Sequence, residues 1–250
     1  MYTYFFTYQD ALPEKYGFPI FGKIHIIWLA CIAFGIFLLC RMYLRLTKTK
    51  QLQMLNTTVL LALCCTFTQD AILTLTGHMN ARILPFHLCD LAGFFYLFLQ
   101  MRALRTRHWP SLSEITLCLF MPGAVLGIFF PVWSVYPAFH YMTIHGFVYH
   151  ALIILYPWLL FVNGNIRPKT RHIWQPVLLL CCIVPPVFLF NKKFGSNYMF
   201  INEPPKNTPL EFLAGQMGNP GYLLGYAIFI FLLMLTLYQI FGKLTELSKI

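Results

Sequence analysis

The stretch "LPFHLCDLAGFFYLFLQ", Leu84 to Gln100, sets a histidine, a cysteine and an aspartate at the head of an otherwise apolar run. A carboxylate in hydrocarbon is costly unless something uses it there, so an oily segment with His87, Cys89 and Asp90 at one end points to an intramembrane site. Whether the run enters a membrane at all depends on what surrounds it.

The surroundings are equally apolar. Of the 250 residues, 58% are hydrophobic and only 10% are charged, far from the balance of a soluble domain. Apolar runs long enough to cross a hydrocarbon core fall near 22–40, 55–76, 84–101, 113–130, 141–162, 174–190 and 220–241. The sequence therefore predicts an all-α polytopic membrane protein, a bundle of seven transmembrane helices in a single domain over residues 1–250. The tail before the first run carries Asp10 and Glu14 and no basic n-region, which argues against a cleaved signal peptide.

The net charge of +10 invites a nucleic-acid reading, but its distribution marks topology instead. Arg41, Arg45, Lys48 and Lys50 follow the first run, and Arg102, Arg105 and Arg107 the third. Arg167, Lys169 and Arg171 follow the fifth, and Lys243 and Lys249 the seventh. The other side has Lys15 and Lys23 before the first run, Arg82 alone between the second and third, and none between the fourth and fifth. Lys192, Lys193 and Lys206 after the sixth are a mild exception. By the positive-inside rule the N-terminus is expected outside and the C-terminus in the cytoplasm, with membrane lipids as partners and no nucleic acid.

Cys31, Cys40, Cys64, Cys65, Cys89, Cys118, Cys181 and Cys182 all lie in or beside apolar runs. No disulfide framework is expected, the spacings are not those of a zinc site, and no metal or other cofactor is implied. Pro122, Pro157 and the Pro185-Pro186 pair sit within or at the ends of helices, where they free backbone carbonyls and allow kinks. The connection over 191–219 is longer than an ordinary link and carries Phe194, Tyr198, Met199, Phe200 and Ile201, so it reads as a packed lid or re-entrant segment over the outer mouth, the plain alternative being a loop that rests on the interface.

Depth, counted at 1.5 Å per residue, puts the buried polar side chains in one layer. Asp70, Gln69, His87, Cys89, Asp90, His145 and His150 fall in the outer half, with His25 near the outer end of the first run. The cytoplasmic halves hold almost no ionisable group apart from Glu114. A polar pocket opening outward is expected; the plain alternative is that these groups tie helices together. At 100° per residue His87 and Asp90 are about 60° apart and His87 and Cys89 nearly opposed, while His145 and His150 are about 140° apart.

Three segments carry a family resemblance. "LPFHLCDLAGFF" resembles the third-span signature of the YwaF-type integral membrane proteins of bacteria, "HGFVYHALIILYPWLL" their histidine-plus-proline span, and "FGSNYMFINEPP" with "TPLEFLAG" their Asn-Tyr-Met-Phe outer segment. These proteins are grouped with the eukaryotic transmembrane protein 164 family, for which the resemblance implies phospholipid acyl transfer using a membrane cysteine and a histidine. His150 with Pro157 matches the eukaryotic spacing. The cysteine is displaced: the eukaryotic order is proline, cysteine, histidine, whereas here Pro85 and His87 flank Phe86, and Cys89 lies one turn further on the same face.

Two functions follow as expectations. The first is a lipid enzyme of the bacterial cell membrane, a phospholipid acyltransferase or acyl hydrolase. In it Cys89 is the nucleophile, His150 or His145 the base, and Asp90 with His87 orient groups or polarise the ester. Asp70, Gln69, His25, Asn197 and Tyr198 would line the substrate pocket. The second is a non-enzymatic binder or transporter of a proton or small polar solute using the Asp/His set.

Overall fold

The computed structural model describes residues 4–12, 16–105 and 110–247. Glu14, Lys15, Arg107 and Lys249, used in the reading of the tail and of the charge pattern, lie outside the described residues. Among the described residues the chain is helical and turn-like with no strand. The main helices are α1 (Lys23–Leu44), α2 (Lys48–Leu75), α3 (Leu88–Arg105), α4 (Pro110–Ile115), α5 (Met121–Phe129), α6 (Tyr141–Val162), α7 (Trp174–Phe194), α8 (Pro209–Met217) and α9 (Tyr222–Leu247).

Among the described residues, six helical stretches are long and apolar enough to cross a membrane: α1, α2, the run Pro110–Val135 that holds α4 and α5, α6, the α7 stretch and α9. The seventh expected span is α3, which is 18 residues long and carries Asp90, Arg102 and Arg105, so it does not meet the same standard of length and apolarity. α3 also begins at Leu88 rather than at 84. Residues 84–87 form an irregular approach in which Pro85 has no N–H to give a helix.

The core is organised around α6, against which α1, α2, α3 and α5 pack. The most apolar window of α6 is 61% buried, as is that of the α4–α5 run, whereas those of α1, α7 and α9 are 11% buried. These last three therefore form a rim whose apolar surface needs lipid to cover it. Two prolines shape the buried pair. Pro122 cannot donate to the Cys118 carbonyl, and the chain just before it winds as a π-turn over Thr116–Phe120, the Met121 N–H reaching back to Thr116. Pro157 cannot donate to the carbonyl of Ile153, and that carbonyl instead accepts the Tyr96 hydroxyl of α3 at 3.0 Å.

The long connection over 191–219 is not an unstructured loop. It contains the last turn of α7, a left-handed Gly195, a short 3-10 turn at Tyr198–Phe200 and α8. Asn191 holds its first part: the side-chain Oδ1 accepts from Ser196 Oγ at 2.8 Å and from the Tyr198 N–H at 3.0 Å, and Nδ2 donates to the Tyr198 carbonyl at 2.9 Å. Met199 and Phe200 both have positive φ, 56° and 55°. Side chains rarely accept that conformation unless neighbouring bonds hold it.

Candidate functional site: an apolar cavity lined by three histidines

A cavity of about 1260 Å³ lies between the α3–α5–α6 side of the bundle and α7 and α9, at the end where α3 begins. Its walls are mostly apolar, with side chains of α5, α7 and α9 such as Leu126, Val184, Phe188, Tyr226 and Ile230. Polar groups gather where the 82–90 segment, α6 and the Tyr198–Phe200 turn meet. Such a volume with few convergent polar groups is the form of a site for a ligand with a long apolar part.

His150 faces this cavity from α6. Its Nδ1 lies 2.7 Å from the Gly146 carbonyl one turn earlier. A carbonyl only accepts, so Nδ1 carries the proton and Nε2 is left with a lone pair. Nε2 has no hydrogen-bond partner among the described residues and stands over Gly127 of α5, where a Cβ would be only 2.8 Å away. Trp133 packs against the ring, with centroids 4.7 Å apart. The imidazole is thus fixed in orientation and tautomer with its basic nitrogen open.

His87 has the opposite arrangement. Its Nδ1 accepts the N–H of Met199 at 3.3 Å, so the neutral ring carries its proton on Nε2 and offers a donor to the cavity. Tyr198 and Phe200 flank the ring at 5.3 and 5.2 Å. The left-handed turn at Met199 is what aims that backbone N–H at the histidine.

Asp90 does not pair with the His87 ring. Its Oδ2 accepts the backbone N–H of His87 at 3.0 Å, the reach-back of a third helical residue to the residue preceding the helix. The 60° helical separation assumed that both residues are inside the helix, and His87 is not. Cys89, on the first turn of α3, lines the cavity while its carbonyl accepts the Tyr149 hydroxyl at 2.9 Å. No hydrogen bond joins its sulfur to an imidazole among the described residues.

The other expected residues divide in two. His145, Asp70, Gln69 and Tyr198 line the cavity. His145 is also a tie between helices, its Nε2–H donating to the Cys65 carbonyl of α2 at 3.0 Å. His25 and Asn197 are outside the lining. His25 is fully buried and both its nitrogens are occupied, Nδ1 accepting from the Phe21 N–H at 2.8 Å and Nε2–H donating to the Ile128 carbonyl at 2.7 Å. Asn197 turns its amide onto the backbone of Asn202 and Glu203.

Sequence reasoning passed over Gly127, Gly146, Trp133 and Tyr149. A Cβ at Gly146 would meet the Trp133 indole at 2.6 Å, so this glycine makes room for the ring that backs His150. Its only outward signal is its place inside "HGFVYH". Among the described residues no group of three or more His, Cys, Asp or Glu side chains is arranged to hold a metal ion.

A family model described as the TMEM164 family matches residues 20–243. The chain belongs to the TMEM164 family. The match takes in the α3 segment, α6 and the Asn197–Phe200 turn, the three parts that build the site. With its apolar helices, the chain is therefore an integral membrane protein of the TMEM164 family. No curated protein and no solved structure matches it.

Proposed function

We propose that the protein moves fatty acyl groups of phospholipids within the membrane, with His150 as general base and Cys89 as nucleophile. The observation that supports this reading is the pair of histidines held in opposite tautomers on the wall of one apolar cavity, His150 with an open lone pair and His87 with an open N–H. Ester chemistry needs both: a base for the nucleophile's proton and a donor for the oxygen on which charge develops.

In the proposed cycle His150 Nε2 takes the Cys89 thiol proton as the sulfur forms a bond to the ester carbonyl carbon. The ester C–O bond breaks, and the leaving glycerol oxygen receives the proton from the imidazolium, releasing a lysophospholipid. A second lysophospholipid hydroxyl, or water in the hydrolytic version, then bonds to the acyl carbon as the thioester C–S bond breaks, and His150 takes the hydroxyl proton and returns it to the Cys89 sulfur. His87 Nε2–H polarises the carbonyl, and Asp90, by holding the His87 backbone, is a positioning residue. The outer segment over 191–219 serves as the lid.

The test is lipid mass spectrometry on cells expressing wild type, Cys89→Ala and His150→Ala, supplied with an isotopically labelled acyl phospholipid. Redistribution of label that disappears in both variants is the expected result. Redistribution surviving Cys89→Ala removes the thiol step and leaves His150 acting directly on the acceptor hydroxyl. None in any strain, with all proteins inserted, overturns the reading in favour of solute binding.

A further inference from the structure

We infer that Arg82 forms a phosphate-binding subsite at the mouth of the cavity, so that the ligand is a phospholipid whose phosphodiester is held there while its acyl ester reaches the histidines. This rests on the lipid reading above and names the part of the lipid that reading leaves open.

Among the described residues Arg82 is the one lysine or arginine in the cavity lining. Among the described residues no carboxylate is within salt-bridge distance of it. Its backbone is fixed on both sides. The Arg82 N–H donates to Asn80 Oδ1 at 2.8 Å, and the Tyr198 hydroxyl donates to the Ala81 carbonyl at 2.9 Å while accepting the N–H of Leu84. The guanidinium lies against Gly195, where a Cβ would stand 3.4 Å from Nη2. A side chain at that position would crowd the arginine.

An arginine with a held backbone and no carboxylate partner among the described residues, lining an apolar cavity, is suited to a lipid phosphate, which guanidinium meets with two parallel hydrogen bonds. Preorganisation of the backbone lowers the entropy cost of that contact. Lys192 adds a second cation at the same end, its Nζ 5.4 Å from the ring centroid of the cavity residue Phe188. Tyr198 links this subsite to the chemistry, since the hydroxyl that brackets Arg82 belongs to the ring packed on His87. Arg82 and His87 both line this cavity, as a glycerophospholipid carries its phosphate and its acyl esters on one glycerol.

The experiment uses the full chain in liposomes and two photoreactive lipids with the same diazirine acyl chain, a phosphatidylcholine and a diacylglycerol. Labelled cavity peptides are quantified by mass spectrometry on ice, where turnover is not required. Wild type is expected to label more with phosphatidylcholine. Arg82→Gln should lose about tenfold of that labelling, the scale of one charge-assisted contact, with diacylglycerol labelling unchanged as the control for folding. Arg82→Lys should retain part of it, and Lys243→Gln, at the other end of α9, should match wild type. Equal labelling by both lipids, or phosphatidylcholine labelling unaffected in Arg82→Gln, would overturn the subsite. Displacement by millimolar inorganic phosphate would overturn its assignment to lipid. Phosphate-dependent labelling in a protein that transfers no acyl group keeps the subsite and discards the chemistry, whereas acyl transfer with phosphate-independent labelling does the reverse.

Discussion

At Gly127 an added methyl group would stand 2.7 Å from Cδ2 and 2.8 Å from Nε2 of His150. The ring cannot swing aside freely, because its Nδ1–H is bonded to Gly146 and Trp133 backs it. Gly127→Ala should therefore lower acyl transfer by about a hundredfold, the scale of a misplacement near 1 Å in a catalytic group. Its cost in thermal stability should stay within the overpacking range of about 1–3 kcal/mol. Parallel measurement of transfer rate and melting temperature checks this, and a rate close to wild type would rule out His150 as the base. Outside the spans, His140 caps α6 through Nδ1 and donates from Nε2 to the Thr7 carbonyl. Burial lowers its affinity for a proton below the ordinary histidine range, against the opposing effect of the Thr7 bond. A lowered folded value means that the unfolded chain binds the proton first, so stability is intact at neutral pH and is lost as pH falls below about 6.5. Proteolytic cleavage near Thr7 should rise on acidification in wild type, and that rise should be absent in His140→Gln. The sequence picked out His87, Cys89, Asp90 and His150, because polar residues in apolar runs stand out. Their roles were harder to read: Asp90 serves a backbone N–H and His87 receives one, and neither bond leaves a trace in residue type.

Helices α3 and α6 meet through a bond that Pro157 makes necessary. With no N–H from residue 157, the Ile153 carbonyl depends on the Tyr96 hydroxyl. Tyr96→Phe should cost about 1–3 kcal/mol by leaving that carbonyl unpaired. The cost should shrink in a Pro157→Ala background, where an N–H is restored to the helix ladder. A double-mutant cycle on thermal stability measures the coupling, and strict additivity would sink the account. The Asn191 bonds to Ser196 and Tyr198 predict that Asn191→Ala loosens the Tyr198–Phe200 turn, seen as faster amide exchange at Met199. Element boundaries were read well where apolar periodicity runs unbroken: the expected span over 141–162 coincides with α6. Sequence hides the boundary at 84–87, where an irregular approach is as oily as the helix it precedes, and over 191–219, where helix α8 lies inside the expected long connection.

For the molecule as a whole, the count of crossings decides where the termini lie. Six apolar helices alone would leave both termini on one side, while a crossing by α3 puts them on opposite sides. Arg102 and Arg105 stand at one end of α3 and Asp90 at the other, leaving an uncharged middle, and the loop charges favour an external N-terminus. A compartment-sensitive reporter at each terminus is therefore expected to report outside for the N-terminus and cytoplasm for the C-terminus; the same compartment for both would remove α3 from the set of spans. Composition and charge placement made the membrane class readable, whereas the convergence of three distant segments on one cavity depends on packing that no local pattern records. The weakly buried α7 and α9 wall the cavity on the side left for lipid, so on the proposed function a lipid arrives sideways without passing through water. The concentration that governs such a protein is then an areal one, the mole fraction of substrate among neighbouring lipids. Diluting the membrane with inert lipid at fixed bulk substrate should slow it, while adding more of the same vesicles should not speed it.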